Sequence, residues 1–182
     1  MNDVLKKEIE KNLQTMLENI QVPKSRYEAA ESSYKAVGAW LDRKESGLNQ
    51  YNPEIYCQGS FSLGTAIRPL NENDEYDVDI VAKFDLRKSE ITQKDFKERI
   101  GVELKEYHRI QGFINDLKEG KRCWTLNYAD EAKFHIDILP AIPNLNALGE
   151  KLKMEFSMPD ASLRFHSENA IDITDNTSTN YC

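Results

Sequence analysis

The chain has 182 residues, 40% hydrophobic and 30% charged, enough for one ordinary domain whose core needs no disulfide or metal staple. Lys and Arg number 24 against 31 Asp and Glu, a net charge of −7. That balance argues against a coat for duplex DNA, where a basic footprint is the rule, while leaving room for a local basic cleft. No run approaches the ~18 apolar residues of a membrane span, and the N-terminus MNDVLKKEIEKN has no apolar signal core. The three cysteines, Cys57, Cys123 and Cys182, are odd in number and form no C-x-x-C pair. They read as reduced thiols of a cytoplasmic protein.

Leu5, Ile9, Leu13, Met16, Leu17 and Ile20 recur at helical spacing and predict a helix over residues 3–20. Pro23 ends it. Ser25 and Glu28 then read as N-cap and N3 of a capping box, opening a second helix with Tyr27, Ala30, Tyr34, Val37 and Leu41 on its stripe and an end near Glu45 to Gly47. Both stripes are assigned to packing, with residues 1–48 a helical pair on a core of residues 49–182. Residues 54–58, EIYCQ, predict a short strand. Residues 76–84, YDVDIVAKF, predict a clear one. Its alternation sets Val78, Ile80, Ala82 and Phe84 on one face and Asp77, Asp79, Val81 and Lys83 on the other.

A helix follows over 93–118, with Phe96, Ile100, Leu104, Tyr107, Ile114 and Leu117 on its buried side and Gly120 placed to stop it. RCWTLNY (122–128) and KFHIDILPA (133–141), joined through Ala-Asp-Glu-Ala, predict a β-hairpin. In its second strand Phe134, Ile136 and Ile138 face one way, and His135, Asp137 and Leu139 the other. After Pro140 the pattern weakens. Pro143, Pro159 and the tail IDITDNTSTNYC read as loop or edge structure, and the chain reads as stopping before its next element. The fold expected is α/β, a small mixed or antiparallel sheet with helices on one side.

Same-face residues two apart on a strand lie about 6.6–7 Å from each other. Asp77 and Asp79 can therefore share a cation, and oxygen-only ligands suit Mg²⁺ or Mn²⁺. Asp137 points out of the core on another strand and supplies a third carboxylate, as a two-metal site with ions ~3.5–4 Å apart requires. Gly59 ends a strand and lets backbone approach a ligand. Ser60 adds a hydroxyl and an N–H, and a helix starting there favours phosphate. Gly-Ser alone carries no signal, and Asp-x-Asp on a strand is more often a solvated face. The combination of Gly59-Ser60, sixteen intervening residues, Asp77-Val-Asp79 and a later strand Asp137 is specific.

That combination resembles the signature of the DNA polymerase β-type nucleotidyltransferase superfamily. The wording QGSFSLGTAIRPL, EYDVDIV and FHIDILPAIP resembles, more narrowly, the bacterial cyclic-oligonucleotide synthases (SMODS-type, CD-NTase) of antiphage signalling, relatives of animal cyclic GMP–AMP synthase and the oligoadenylate synthetases. The resemblance covers residues 20–143 and, more loosely, the stretch to 182. It implies a polymerase β-like core in which Gly59 and Ser60 contact the triphosphate and Asp77 and Asp79 bind two Mg²⁺ or Mn²⁺ ions. Asp137 completes the ion that activates the acceptor hydroxyl. It also implies NTP substrates (ATP, GTP or pyrimidine NTPs), a cyclic di- or trinucleotide product with release of pyrophosphate, and a regulatory protein partner. The family continues into a C-terminal helical domain, preceded by wording like ITDNTSTNY.

Two rivals stand beside this reading: a nucleotidyltransferase acting on RNA, a protein side chain or a small hydroxyl compound, and a nucleotide-binding fragment without turnover. Lys83, Arg68 and Arg122 are candidates for phosphate neutralisation, each weighed against a solvated surface position. His135 shares the face of Asp137, but Mg²⁺ prefers oxygen ligands. Trp124 and Tyr128 are candidates for base stacking, with a cross-strand packing role as the default. His108 and His166 have no partner legible in the sequence, and the cysteines show no cause for reactivity.

Overall fold

A computed structural model describes residues 3–69, 71, 74–128, 133–144 and 169–181. The predicted hairpin loop 129–132, Pro159, His166 and Cys182 lie outside the described residues. Helix α1 spans Asp3–Ile20 and α2 Lys24–Leu41. A 3-10 turn at Asn49–Tyr51 leads into strand β1 (Glu54–Cys57), the one-turn helix α3 (Gly59–Leu63) and β2 (Tyr76–Lys83). Helix α4 (Gln93–Gln111), β3 (Lys118–Glu119), β4 (Trp124–Tyr128), β5 (Phe134–Pro143) and β6 (Ile171–Ile173) complete the order.

The strands form one mixed sheet in the order β1-β2-β5-β4-β3, with β6 paired to β5. Its centre is the parallel pair β2 and β5; the other pairs are antiparallel. Val78, Ile80, Ile136 and Ile138 are fully buried on one face, beneath α2 and α4. There Phe84 meets Phe96 edge-on at 5.4 Å between ring centroids, and Trp124 lies against Gly101. Arg43 ties the two helices together: its guanidinium stacks 3.6 Å over the Trp40 ring and pairs with Glu103 at 2.7 Å.

Helix boundaries differ from the sequence reading at three places. Pro23, not Ser25, is the residue before α2, and no side chain caps that end; Glu28 pairs with Lys24 at 3.2 Å instead of closing a capping box. The helix ends at Leu41, not near Gly47, because the chain turns where Arg43 reaches α4. Helix α4 stops at Gly112, which takes the left-handed conformation (φ 71°) and donates its N–H to the His108 carbonyl. The segment beyond leaves Ile114 82% exposed rather than on a buried side, and 118–119 become a strand.

Helix α1 forms as expected, but its apolar stripe does not pack. Leu5, Ile9, Leu13, Met16, Leu17 and Ile20 are 42–62% exposed, and the helix has no buried residue. Strand β5, by contrast, continues through Pro140. Pairing with β4 stops at Ile138 and pairing with β6 starts at Ala141, so the missing N–H falls between two partners. No described helix is long and apolar enough to cross a membrane.

Candidate active site

The buried Val78 and Ile80 on β2, and Ile136 and Ile138 on β5, force the intervening side chains onto the opposite face. The parallel register sets Asp79 beside Asp137, and Asp77 beside His135. Asp77, Asp79 and Asp137 each offer an oxygen within 4.8 Å of the others. Three like charges this close repel. Burial first, then the charges of Asp77 and Asp137, push the Asp79 carboxyl above its ordinary range, while His135 acts the other way.

Gly59 closes one side of the cluster. The Gln58 N–H donates to the Asp79 carbonyl at 2.9 Å, carrying the β1–β2 pairing one step past β1 and bringing Gly59 against Asp79. Its φ is +65°, and a Cβ there would lie 2.5 Å from Asp79 Oδ2. Glycine is required twice, by conformation and by space. Ser60 is the second residue of α3; its carbonyl accepts from the N–H groups of Thr65 (2.9 Å) and Ala66 (3.1 Å), folding the following segment back toward β2. Between them lies a cavity of about 350 Å³, lined by Ser60, Phe61, Thr65, Glu75 and Asp77 among others. The donor set is all oxygen and carries three formal charges beside this open cradle, which fits a hard divalent cation.

Two neighbours of the carboxylates were not given roles in the sequence reading. His135 Nε2 lies 3.1 Å from Asp77 Oδ1, and its Nδ1 3.4 Å from Glu75 Oε2. Thr125, opposite Asp137 on β4, donates its hydroxyl to Asp137 Oδ1 at 2.5 Å. Neither is visible in a single strand's pattern, because both depend on cross-strand register.

Apart from Arg68, the other candidates have side-chain partners away from the carboxylates. Lys83 pairs with Glu54 across β1 and β2. Arg122 pairs with Asp175 at 3.0 Å, and its carbonyl accepts from the Thr174 hydroxyl at 3.2 Å. The Arg68 N–H donates to the Ile20 carbonyl, at the foot of α1. Trp124 is buried and donates its indole N–H to the Lys97 carbonyl at 3.1 Å. Tyr128 stacks on Phe134 at 4.8 Å. Both aromatics pack rather than stack a base. His108 stacks on Phe113 with its Nε2 2.5 Å from the Asn115 carbonyl. Burial raises the Cys57 thiol and pushes Cys123 up to about 11, so neither is a thiolate at neutral pH.

A wider cavity, about 520 Å³, runs between α4 and residues 175–179, away from the carboxylates. Its two buried ionisable groups are already paired. The Lys97 ammonium donates to the carbonyls of Gly120 and Lys121, and Asp175 meets Arg122, Lys121 and Thr177.

A sequence profile of the Second Messenger Oligonucleotide or Dinucleotide Synthetase domain matches residues 8–179. The chain is 30% identical over 138 residues to a c-di-GMP synthase of Roseivirga ehrenbergii, covering 74% of this chain and 34% of that protein. It is 29% identical over 123 residues to the cyclic dinucleotide synthase CdnG of Bradyrhizobium diazoefficiens, covering 68% of this chain and 27% of that protein. The structure of that CD-NTase in complex with GTP superposes with a TM-score of 0.65 at 24% identity, over 90% of this chain and 40% of that one. Escherichia coli DncV in its 3'-deoxy GTP bound form superposes with a TM-score of 0.56 at 13% identity, over 91% of this chain and 54% of that one. The likeness establishes the fold, a polymerase β-like nucleotidyltransferase core with a mixed sheet flanked by helices. The match spans 34% and 27% of the length of these two curated relatives.

Proposed function

The chain belongs to the Second Messenger Oligonucleotide or Dinucleotide Synthetase family, and from that premise we propose that it is the catalytic core of a divalent-metal-dependent nucleotidyltransferase that joins NTPs into a cyclic di- or trinucleotide. The observation that carries this reading is the carboxylate cluster: three aspartates from two parallel strands, oxygens within 4.8 Å, beside a glycine whose missing side chain keeps Asp79 accessible.

In this reading Asp77, Asp79 and Asp137 hold Mg²⁺ or Mn²⁺. Bound there, the metal supplies positive charge that lowers the pKa of an acceptor hydroxyl and offsets the charge of the phosphates. Gly59 and Ser60 receive the triphosphate, where the absence of a Cβ lets it approach Asp79. The 3′ or 2′ oxygen of one nucleotide forms a bond to the α-phosphorus of another, the α–β bridging bond breaks, and pyrophosphate leaves with its electron pair. The hydroxyl proton passes to water. A second transfer within the linear product closes the ring. GTP is the first substrate to test, because the related CdnG is solved with GTP and the Roseivirga relative is a c-di-GMP synthase. A role in antiphage signalling and a cytoplasmic location complete the proposal.

Calorimetric titration of GTP and ATP, in Mg²⁺ and in EDTA, tests the site, with wild type beside Asp77→Asn/Asp79→Asn. Metal-dependent binding lost in the double variant supports the reading. A folded wild-type chain that binds neither nucleotide overturns it for this chain. Chromatography of a radiolabelled NTP reaction then separates a phosphatase-resistant cyclic product from a labelled RNA, protein or small acceptor.

A further inference from the structure

We propose that Thr125 is a positioning residue for the third carboxylate, its hydroxyl holding Asp137 in the rotamer that sets it beside Asp77 and Asp79. The inference rests on the reading of these three aspartates as a cation site.

Thr125 faces that site by construction. Its neighbours on β4, Trp124 and Leu126, are 4% and 0% exposed and point into the core, so Thr125 projects from the other side of the sheet. The hairpin register places it directly opposite Asp137, while β3 pairs along its other edge at Lys118. The strand is therefore held on both sides, and Trp124 is anchored to α4 through the Lys97 carbonyl. On that backbone a β-branched side chain has few rotamers, so the direction of the hydroxyl is set before any ligand arrives. Its single proton goes to Asp137 Oδ1 at 2.5 Å, the short distance of a hydroxyl donating to a carboxylate.

The bond has something to oppose. Asp137 sits in register with Asp79 across the parallel pair, where two carboxylates repel. Without a donor behind it, Asp137 relieves that repulsion by turning away, and a cation then has to bring it back before binding. Thr125 removes that step, as hydrogen-bonded partners behind metal ligands generally do. Cys123 also reaches Asp137, but a thiol is a weak donor and does not replace the hydroxyl. His135 and Glu75 lie on the far side, at Asp77, and do not touch the role of Thr125.

The test is Mn²⁺ binding to the whole chain, followed by electron paramagnetic resonance of the free ion, for wild type, Thr125→Val, Thr125→Ala and Thr125→Ser. Valine keeps the shape of threonine and suits a strand, and alanine gives a second hydroxyl-free variant. Melting temperatures in EDTA identify the folded ones. The expected result is Mn²⁺ affinity weakened about 10–100-fold in the valine and alanine variants and restored close to wild type in the serine variant. A role confined to strand packing moves melting temperature alone. Unchanged Mn²⁺ affinity in a folded valine or alanine variant overturns the proposal and leaves the cation site standing. Absence of Mn²⁺ binding by folded wild type overturns the cation site itself, and the role of Thr125 with it.

Discussion

Gly59 and Asp79 share one small space, and their substitutions act in opposite directions. A methyl group at position 59 meets Asp79 Oδ2 at 2.5 Å and forces a non-glycine residue to hold φ +65°. Left-handed backbone alone costs about 1–2 kcal/mol in an L-residue. Gly59→Ala is expected to lower Tm by about 2–8 °C and to abolish metal-dependent GTP binding, read by scanning and titration calorimetry. Asp79→Asn removes a charge that burial and two neighbouring carboxylates disfavour. A carboxyl whose folded pKa is raised costs stability at pH above that value, and the cost disappears as pH falls below the unfolded value of about 3.9. In EDTA at pH 7, Asp79→Asn therefore melts above wild type. The gain is about 2–4 °C at most, the shift that ~1 kcal/mol produces in a chain this size, because Asp79 is partly exposed and screened. The difference narrows as the pH is lowered toward 4. A variant that melts below wild type at pH 7 in EDTA contradicts this account of the cluster.

Helix α4 covers the sheet's core face together with α2, and its close approach depends on a residue that weakens helices in isolation. Gly101 lies where a Cβ would fall 2.3 Å from Trp124 Cζ2. Gly101→Ala gains about 1 kcal/mol of helix propensity but overpacks against a buried indole, which costs about 1–3 kcal/mol. The ring cannot swing aside without losing its bond to the Lys97 carbonyl. The net expectation, about 0–2 kcal/mol of destabilisation, is a Tm lower by up to about 8 °C, measured by circular dichroism, with Mg²⁺ affinity close to wild type. At the far end of this layer, hydrogen bonds from Thr177, then from Arg122 and Lys121, hold the Asp175 carboxyl well below the usual carboxylate range. Its contribution to stability is complete above the ordinary carboxylate pKa and is lost on acidification below it.

For the molecule as a whole, binding of a ligand to the folded state alone raises its stability by mass action. Mg²⁺ at ten times its dissociation constant adds about 1.4 kcal/mol, or about 3–6 °C in Tm. Wild type is expected to show that rise and Asp77→Asn/Asp79→Asn to show none. The order of melting then inverts between EDTA, where relieved repulsion favours the variant, and Mg²⁺, where the wild type is favoured. Equal responses of both chains to Mg²⁺ rule out the carboxylates as the metal ligands.

Alternation along β2 and β5 was legible in the sequence because period two is a local property: Val78, Ile80, Ile136 and Ile138 declare the core face, and Asp77, Asp79 and Asp137 follow on the other. The requirement for glycine at position 59 was legible for the same reason, as a strand end beside polar residues. Helix ends were less so. Gly112 and Gly120 are equal as stop signals, and the choice fell to Gly112 because the chain beyond it pairs as β3 instead of continuing the helix. The stripe of α1 was legible as a helix, but its period says nothing about what covers it, and the described core leaves it exposed. Register was decided by tertiary structure alone. That Asp137 stands beside Asp79, that Thr125 donates to it, and that Pro140 falls between two partners all follow from how β2, β4 and β5 align. The β2–β5 alignment joins residues 58 positions apart, beyond any local window, and the β4–β5 alignment joins residues 6 to 14 apart on two strands whose mutual register neither strand's own pattern contains.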